Sequence, residues 1–148
     1  MYRRLLTLVD FLEAVFVSAI VRFALSYLPA SFRLRWMGKL IPPDSAMLTL
    51  ISENEISMEC REKLTRVKTA VARCNRYAPW NTECLTQALT AKQMLKRQKV
   101  NSILIIGFKK DEEGEIGGHA WLKVGPFFIT GYRPDLNGYV INGQFGPQ

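Results

Sequence analysis

Two side chains in this chain could carry out nucleophilic chemistry together. Cys84 lies in "PWNTECLTQAL", residues 79–89, three places after Asn81, where a loop turns into a helix. His119, the only histidine among 148 residues, follows in "GGHAW". A thiol attacks well only as its thiolate, and a free pKa of about 8.5 leaves little thiolate at neutral pH. A helix N-terminus favours the anion through its unpaired N–H groups and dipole. An imidazole alongside supplies the base. The alternative is structural. Cys84 sits beside the apolar stripe Leu85, Ala88 and Leu89, where a free cysteine packs like a small hydrophobe, and a lone histidine often serves only as a hydrogen-bonding group.

The other two cysteines point elsewhere. Cys74 falls on the apolar face of a helical segment, and Cys60 has no catalytic type of residue near it in sequence. Three cysteines make an odd count with no C-x-x-C pair, which argues against a disulfide framework and for a reducing cytoplasm. The gaps between Cys60, Cys74 and Cys84 fit no common zinc pattern, so no metal is expected.

The net charge of +7 is weighted to the first half: residues 1–78 carry 12 Lys/Arg against 7 Asp/Glu. The cations are dispersed among acids with no dense basic run, which reads as a solvated surface and not as a nucleic-acid interface.

The elements that must position the pair follow from periodicity. Leu5, Leu8, Val9, Leu12, Phe16, Ile20, Phe23 and Tyr27 recur at helical spacing up to Pro29. Asp10, Glu13 and Arg22 interrupt this stretch, so neither a membrane span nor a signal peptide is expected. It reads as the first of two buried helices. The second is "FRLRWMGKLI", capped by Ser31 and stopping before Pro42 and Pro43. A peripheral membrane or partner-docking helix is the other reading of this region. "PPDSAMLTLISENEI" has no clear period.

Residues 58–77 form an amphipathic helix with Leu64, Val67, Val71 and Cys74 inward. After Pro79, Asn81 or Thr82 is the expected N-cap of the helix that holds Cys84. Beyond Val100 the period becomes that of strands: "SILIIGF", "HAWLKV", "FFIT" and "YVINGQF". Helices followed by an antiparallel meander predict one α+β domain over 1–148, with apolar N-terminal helices in 1–50 and the helix-and-sheet core in 58–148.

Residues 79–131 resemble the lasso-peptide biosynthesis B protein, in its free-standing leader-peptidase form with a microcin-processing, transglutaminase-like C-terminal domain. The residues that carry the resemblance are Pro79, Trp80, Cys84, Leu85, Ala88 and Leu89, then Leu104, Ile106 and Gly107, then His119, Ala120 and Trp121. The resemblance implies a papain-like arrangement on a transglutaminase-like fold and a cysteine protease that removes the leader from a lasso precursor peptide. It implies two partners: a small leader-binding protein, and an ATP-dependent, asparagine-synthetase-like cyclase that closes the macrolactam. The chain itself has no phosphate-binding Gly-rich loop and is expected to use no cofactor. In this scheme His119 is the base and Cys84 the nucleophile. The Cys84 backbone N–H stabilises the oxyanion, with Asn81, Trp80 or, less directly, Gln87 as a further donor.

The third catalytic residue departs from the pattern. Some relatives carry aspartate at the twelfth residue after the histidine, and this chain has Gly131 there. Asp135 is the first acid afterwards and the candidate, with Thr130 or a backbone carbonyl as alternatives. A different acyl transfer or amidase reaction on the same fold, and a non-catalytic module that docks the precursor or the cyclase, are the competing readings.

Overall fold

A computed structural model of the chain describes residues 2–42 and 56–147, so most of the aperiodic stretch "PPDSAMLTLISENEI" lies outside the described residues. Four helices precede four strands: α1 (Tyr2–Tyr27), α2 (Ala30–Met37), α3 (Met58–Tyr77), α4 (Cys84–Arg97), β1 (Ile103–Lys110), β2 (Ile116–Val124), β3 (Phe127–Thr130) and β4 (Val140–Phe145). The architecture is α+β with one antiparallel sheet, as the order of periodicities predicts. No described helix is long and apolar enough to cross a membrane.

α1 lies the opposite way round from the sequence expectation. Its inward line is Asp10, Ala14, Ser18, Val21 and Ala24, each at most 5% exposed. The more hydrophobic stripe faces out, with Leu12 56% and Phe16 66% exposed. Both lines have helical spacing, so periodicity alone does not choose between them. Small residues let α1 approach α3 and α4 closely, and the polar members of the inner line find partners there. Arg66 of α3 donates two hydrogen bonds of 2.7 Å to the Asp10 carboxylate, and the Trp80 indole N–H donates to Ser18 Oγ at 3.1 Å. Polar groups tolerate burial when so paired.

α2 also departs from the expected buried pair, because it has no buried residue. Pro29 occupies its N-cap, Ser31 lies inside the helix, and Gly38 ends it at φ 106°, well before Pro42. A Cβ at Gly38 would collide with the Gly146 carbonyl.

α3 and α4 form as their stripes predict. Ser57 Oγ accepts from the Cys60 N–H at 3.1 Å and caps α3, which buries Leu64, Val67, Ala70, Val71 and Cys74. Burial pushes the Cys74 thiol up from its ordinary pKa. α4 buries Ala88, Leu89, Ala91, Met94 and Leu95 and ends on Lys96 and Arg97, where cations suit the dipole. Its N-cap is Glu83, and neither Asn81 nor Thr82 fills that position. The Thr82 hydroxyl turns back to Asn75 Oδ1, and its carbonyl accepts from Gln87 Nε2 at 2.7 Å.

The strand order is β3-β2-β1-β4, all antiparallel. Only the first three strands form a meander. The segment after β3 crosses the sheet, and β4 pairs with β1 at the far edge. Leu104, Ala120, Leu122, Val124 and Ile129 pack with the inner faces of α1, α3 and α4 into one core.

One buried cation fastens the end of the sheet. Lys92 of α4, 5% exposed, donates to the carbonyls of Ser102, Phe145 and Gly146 at 3.0, 3.2 and 3.0 Å. Burial pushes it down to about 8, so it remains the ammonium at neutral pH with a carbonyl for each proton. Lys92→Met would take a charged donor from all three carbonyls and is expected to destabilise the fold by about 2–3 kcal/mol, read as a fall in the urea midpoint at unchanged m-value.

Candidate catalytic site

Cys84 is the first residue of α4, directly after the Glu83 N-cap. The N–H groups of a first helical turn have no partner within the helix. The thiol is free and half-buried, packed at the edge of the core. α4 packs against β2, the strand that carries His119.

His119 is also half-buried and stands opposite Gly107 of β1. Ala120, Leu122 and Val124 of its strand join the core, while the alternate residue Trp121 is buried apart from it, beside the histidine. The imidazole stacks on Trp121 with centroids 6.0 Å apart and planes 25° apart, and meets Tyr139 at 5.7 Å. Gly107 makes room for the Trp121 ring, because a Cβ there would lie 3.0 Å from its Cη2 atom.

The partner that orients His119 is a main-chain group. Nε2 lies 2.8 Å from the Gly131 carbonyl oxygen. A carbonyl only accepts, so Nε2 carries the proton and Nδ1 presents its lone pair. Gly131 adopts φ 73°, and a Cβ there would lie 2.8 Å from Trp121 Cβ and collide with the Ala120 carbonyl. No side chain, aspartate included, fits this position without a shift.

The group that meets the His119 ring is thus the Gly131 carbonyl, in the place expected for Asp135. The Asp135 carboxylate accepts from Arg133 Nε at 3.0 Å and from Lys109 Nζ at 3.0 Å. These two cations, Arg133 foremost, hold its pKa down to about 2. It stands in the turn before the short 3-10 helix Leu136–Gly138, four residues past the carbonyl that reaches the histidine.

The same bracket holds two cations over the site. Arg133 Cζ and Lys109 Nζ each lie 5.9 Å from the Tyr139 ring that borders His119. The Asp135 carboxylate beside it raises the Arg133 pKa.

The expected oxyanion donors are arranged differently. The Trp80 indole N–H is committed to Ser18, and Asn81 Nδ2 makes a long 3.4 Å contact with Glu83 Oε1. The Cys84 backbone N–H is among the first-turn donors with no partner inside the helix. Among the described residues no hydrogen bond joins Cys84 to His119; in unliganded enzymes such bonds are often long and tighten with substrate. A cleft of about 540 Å³ lies between α1 and α3, lined by Thr7, Asp10, Arg66 and Arg73, and does not include the pair. No group of three metal-ligating side chains is found among the described residues.

Sequence reasoning did not single out Arg133 or Tyr139, and it named a backbone carbonyl without assigning it to Gly131. For Gly131 one signal existed, its position twelve residues after His119. Arg133 and Tyr139 had none, because they reach the site only through the crossing loop.

Comparison with known proteins is consistent with this arrangement. A family model described as the transglutaminase-like superfamily matches residues 24–142, a span that includes both Cys84 and His119. No curated protein and no solved structure matches the chain. With the family match covering most of its length, the chain belongs to the transglutaminase-like superfamily, which includes cysteine peptidases and acyltransferases.

Proposed function

We propose that the chain is a cysteine peptidase that removes the leader from a lasso-peptide precursor before ring closure. The observations that support the reading are a free cysteine at the start of α4, the packing of α4 against the strand that carries His119, and the 2.8 Å contact of His119 Nε2 with the Gly131 carbonyl. The tautomer set by that contact leaves Nδ1 able to take a proton. The residue pattern from Pro79 to Trp121 supports the lasso precursor as substrate.

Nδ1 of His119 takes the proton of the Cys84 thiol, and the sulfur attacks the scissile carbonyl carbon. The C–N bond then breaks, the imidazolium gives its proton to the departing amine, and the acyl group stays on sulfur as a thioester. Water, deprotonated by the same imidazole, attacks the thioester and releases the leader carboxylate and the thiol. The Cys84 N–H donates to the oxyanion in both halves, a contribution on the order of 10²–10³ in rate. The deciding measurement is the mass spectrum of the precursor after incubation with the chain. Hydrolysis yields two fragments whose masses sum to the precursor plus one water. Acyl transfer would add the acceptor's mass instead.

The small leader-binding protein and the ATP-dependent cyclase are the proposed partners. Cleavage by the isolated chain is expected to be slow, and the leader-binding protein to raise it at least about tenfold by holding the peptide at the site. Equal rates with and without that protein would remove the partner from the scheme.

A second reading has one observation in its favour: a neutral carbonyl, not a carboxylate, stands behind His119. Under it the chain holds the precursor without cutting it, and wild type and Cys84→Ala give identical mass spectra.

A further inference from the structure

The outward face of α1 is an apolar ridge, whereas α3 and α4 turn their apolar faces inward. Leu5, Leu12, Phe16, Phe23 and Tyr27 are 56–75% exposed and lie along one side of the helix. The line from Leu5 to Tyr27 is roughly 33 Å long at the α-helical rise. α2 extends it with Phe32, 46% exposed. The ridge is convex: the cleft that borders α1 opens on its other side, toward α3. The family match begins only at residue 24, so most of the ridge lies outside the span shared with the superfamily.

The charges around it have one sign. Both acids of α1 are drawn away, Asp10 inward to Arg66 and Glu13 to Arg97 at 2.9 Å. The cations between residues 4 and 39 are Arg4, Arg35 and Lys39, which are exposed, and Arg22 and Arg33, which are half-buried. Arg4 and Arg22 are five turns apart at 3.6 residues per turn, so they stand on one line along a flank of the ridge. An apolar helix face flanked by arginines, with both acids of its own helix in ion pairs, matches an anionic lipid surface.

We propose that α1 and α2 dock the protein on anionic membranes, with the ridge in the acyl boundary and the arginines at the headgroups. This rests on the exposed face and its charges, and it holds whether or not Cys84 is a nucleophile. The test is flotation of the full chain with phosphatidylglycerol-containing vesicles and with pure phosphatidylcholine vesicles, at low and high salt. The expected result is flotation with the anionic vesicles at low salt, weakened by high salt, and little with phosphatidylcholine. Phe16→Asp with Phe23→Asp should weaken binding at least about tenfold. Arg4→Gln and Arg22→Gln should weaken it about fivefold each. Circular dichroism on every variant checks the fold, and the exposed positions make its loss unexpected. Absence of flotation with anionic vesicles at low salt overturns the proposal. So does flotation equal on both vesicle types and indifferent to salt. A dimer in light scattering that the double aspartate variant dissociates would assign the ridge to a second copy, and displacement of vesicles by the purified leader-binding protein or cyclase would assign it to that partner; either result overturns it.

Discussion

Cys84→Ala is expected to leave precursor cleavage at least about 10³-fold below wild type while the precursor still binds. In a peptidase whose nucleophile and base act as a unit, losing the nucleophile removes the covalent route and leaves only what binding and the oxyanion donor contribute. The fold should barely change. Cys84 is half-buried at the first position of α4, its thiol makes no disulfide, and alanine keeps the backbone N–H at the same place. The shift in unfolding free energy should stay under about 1 kcal/mol. Cleavage followed by mass spectrometry and binding followed by fluorescence anisotropy give the two readouts. Retained cleavage would end the peptidase reading of Cys84.

Gly131→Ala and Asp135→Asn should differ sharply. The added methyl must displace the Ala120 carbonyl or the Trp121 backbone, and it sits at φ 73°, where a Cβ is strained. A loss of about 2–3 kcal/mol in stability is expected. So is a fall of about 10²-fold in turnover, because the 2.8 Å bond that fixes the His119 tautomer is disturbed. A stability defect alone could lower activity, so the diagnostic readout is the imidazole ¹⁵N spectrum below the unfolding temperature. Wild type should show the Nε2–H tautomer, and the variant a mixture. Asp135→Asn should leave that spectrum unchanged and turnover within about threefold, since its carboxylate binds Arg133 and Lys109 and does not bind the histidine. The opposite pattern would return the orienting role to Asp135. The Asp135 bracket is also no switch near neutrality. Its folded pKa is depressed to about 2 from 3.8, so its contribution is present above pH 3.8 and is lost only as pH falls through about 2.

Sequence and structure agree where one physical signal dominates. α3 and α4 each have one apolar stripe against charge, and Cys74 fell on the core side without ambiguity. Cys84 and His119 stood out by type. α1 was misread because it has two lines at the same spacing. Hydrophobicity ranks Leu5 to Tyr27 above a line of alanines with Asp10 and Ser18, and the second line is favoured only once Arg66 and Trp80 arrive from distant sequence. β4 was placed as the fourth strand of a meander because order along the chain does not report a crossing. For the partner of His119 the sequence points first to Asp135 and offers a backbone carbonyl only as an unlocated alternative. A main-chain carbonyl leaves no residue type to search for, and only the glycine in its unusual backbone conformation marks the place.

The Lys92 knot bears on how the protein can be labelled. Gly146 is packed against Gly38 and Ile41, and its carbonyl is already held. An affinity handle or fluorophore joined straight after it would pry at the seam between β4 and the segment that follows α2, so it needs a flexible spacer. The tight turn Asp111–Glu115 is exposed throughout, which makes it the better place to insert a reporter.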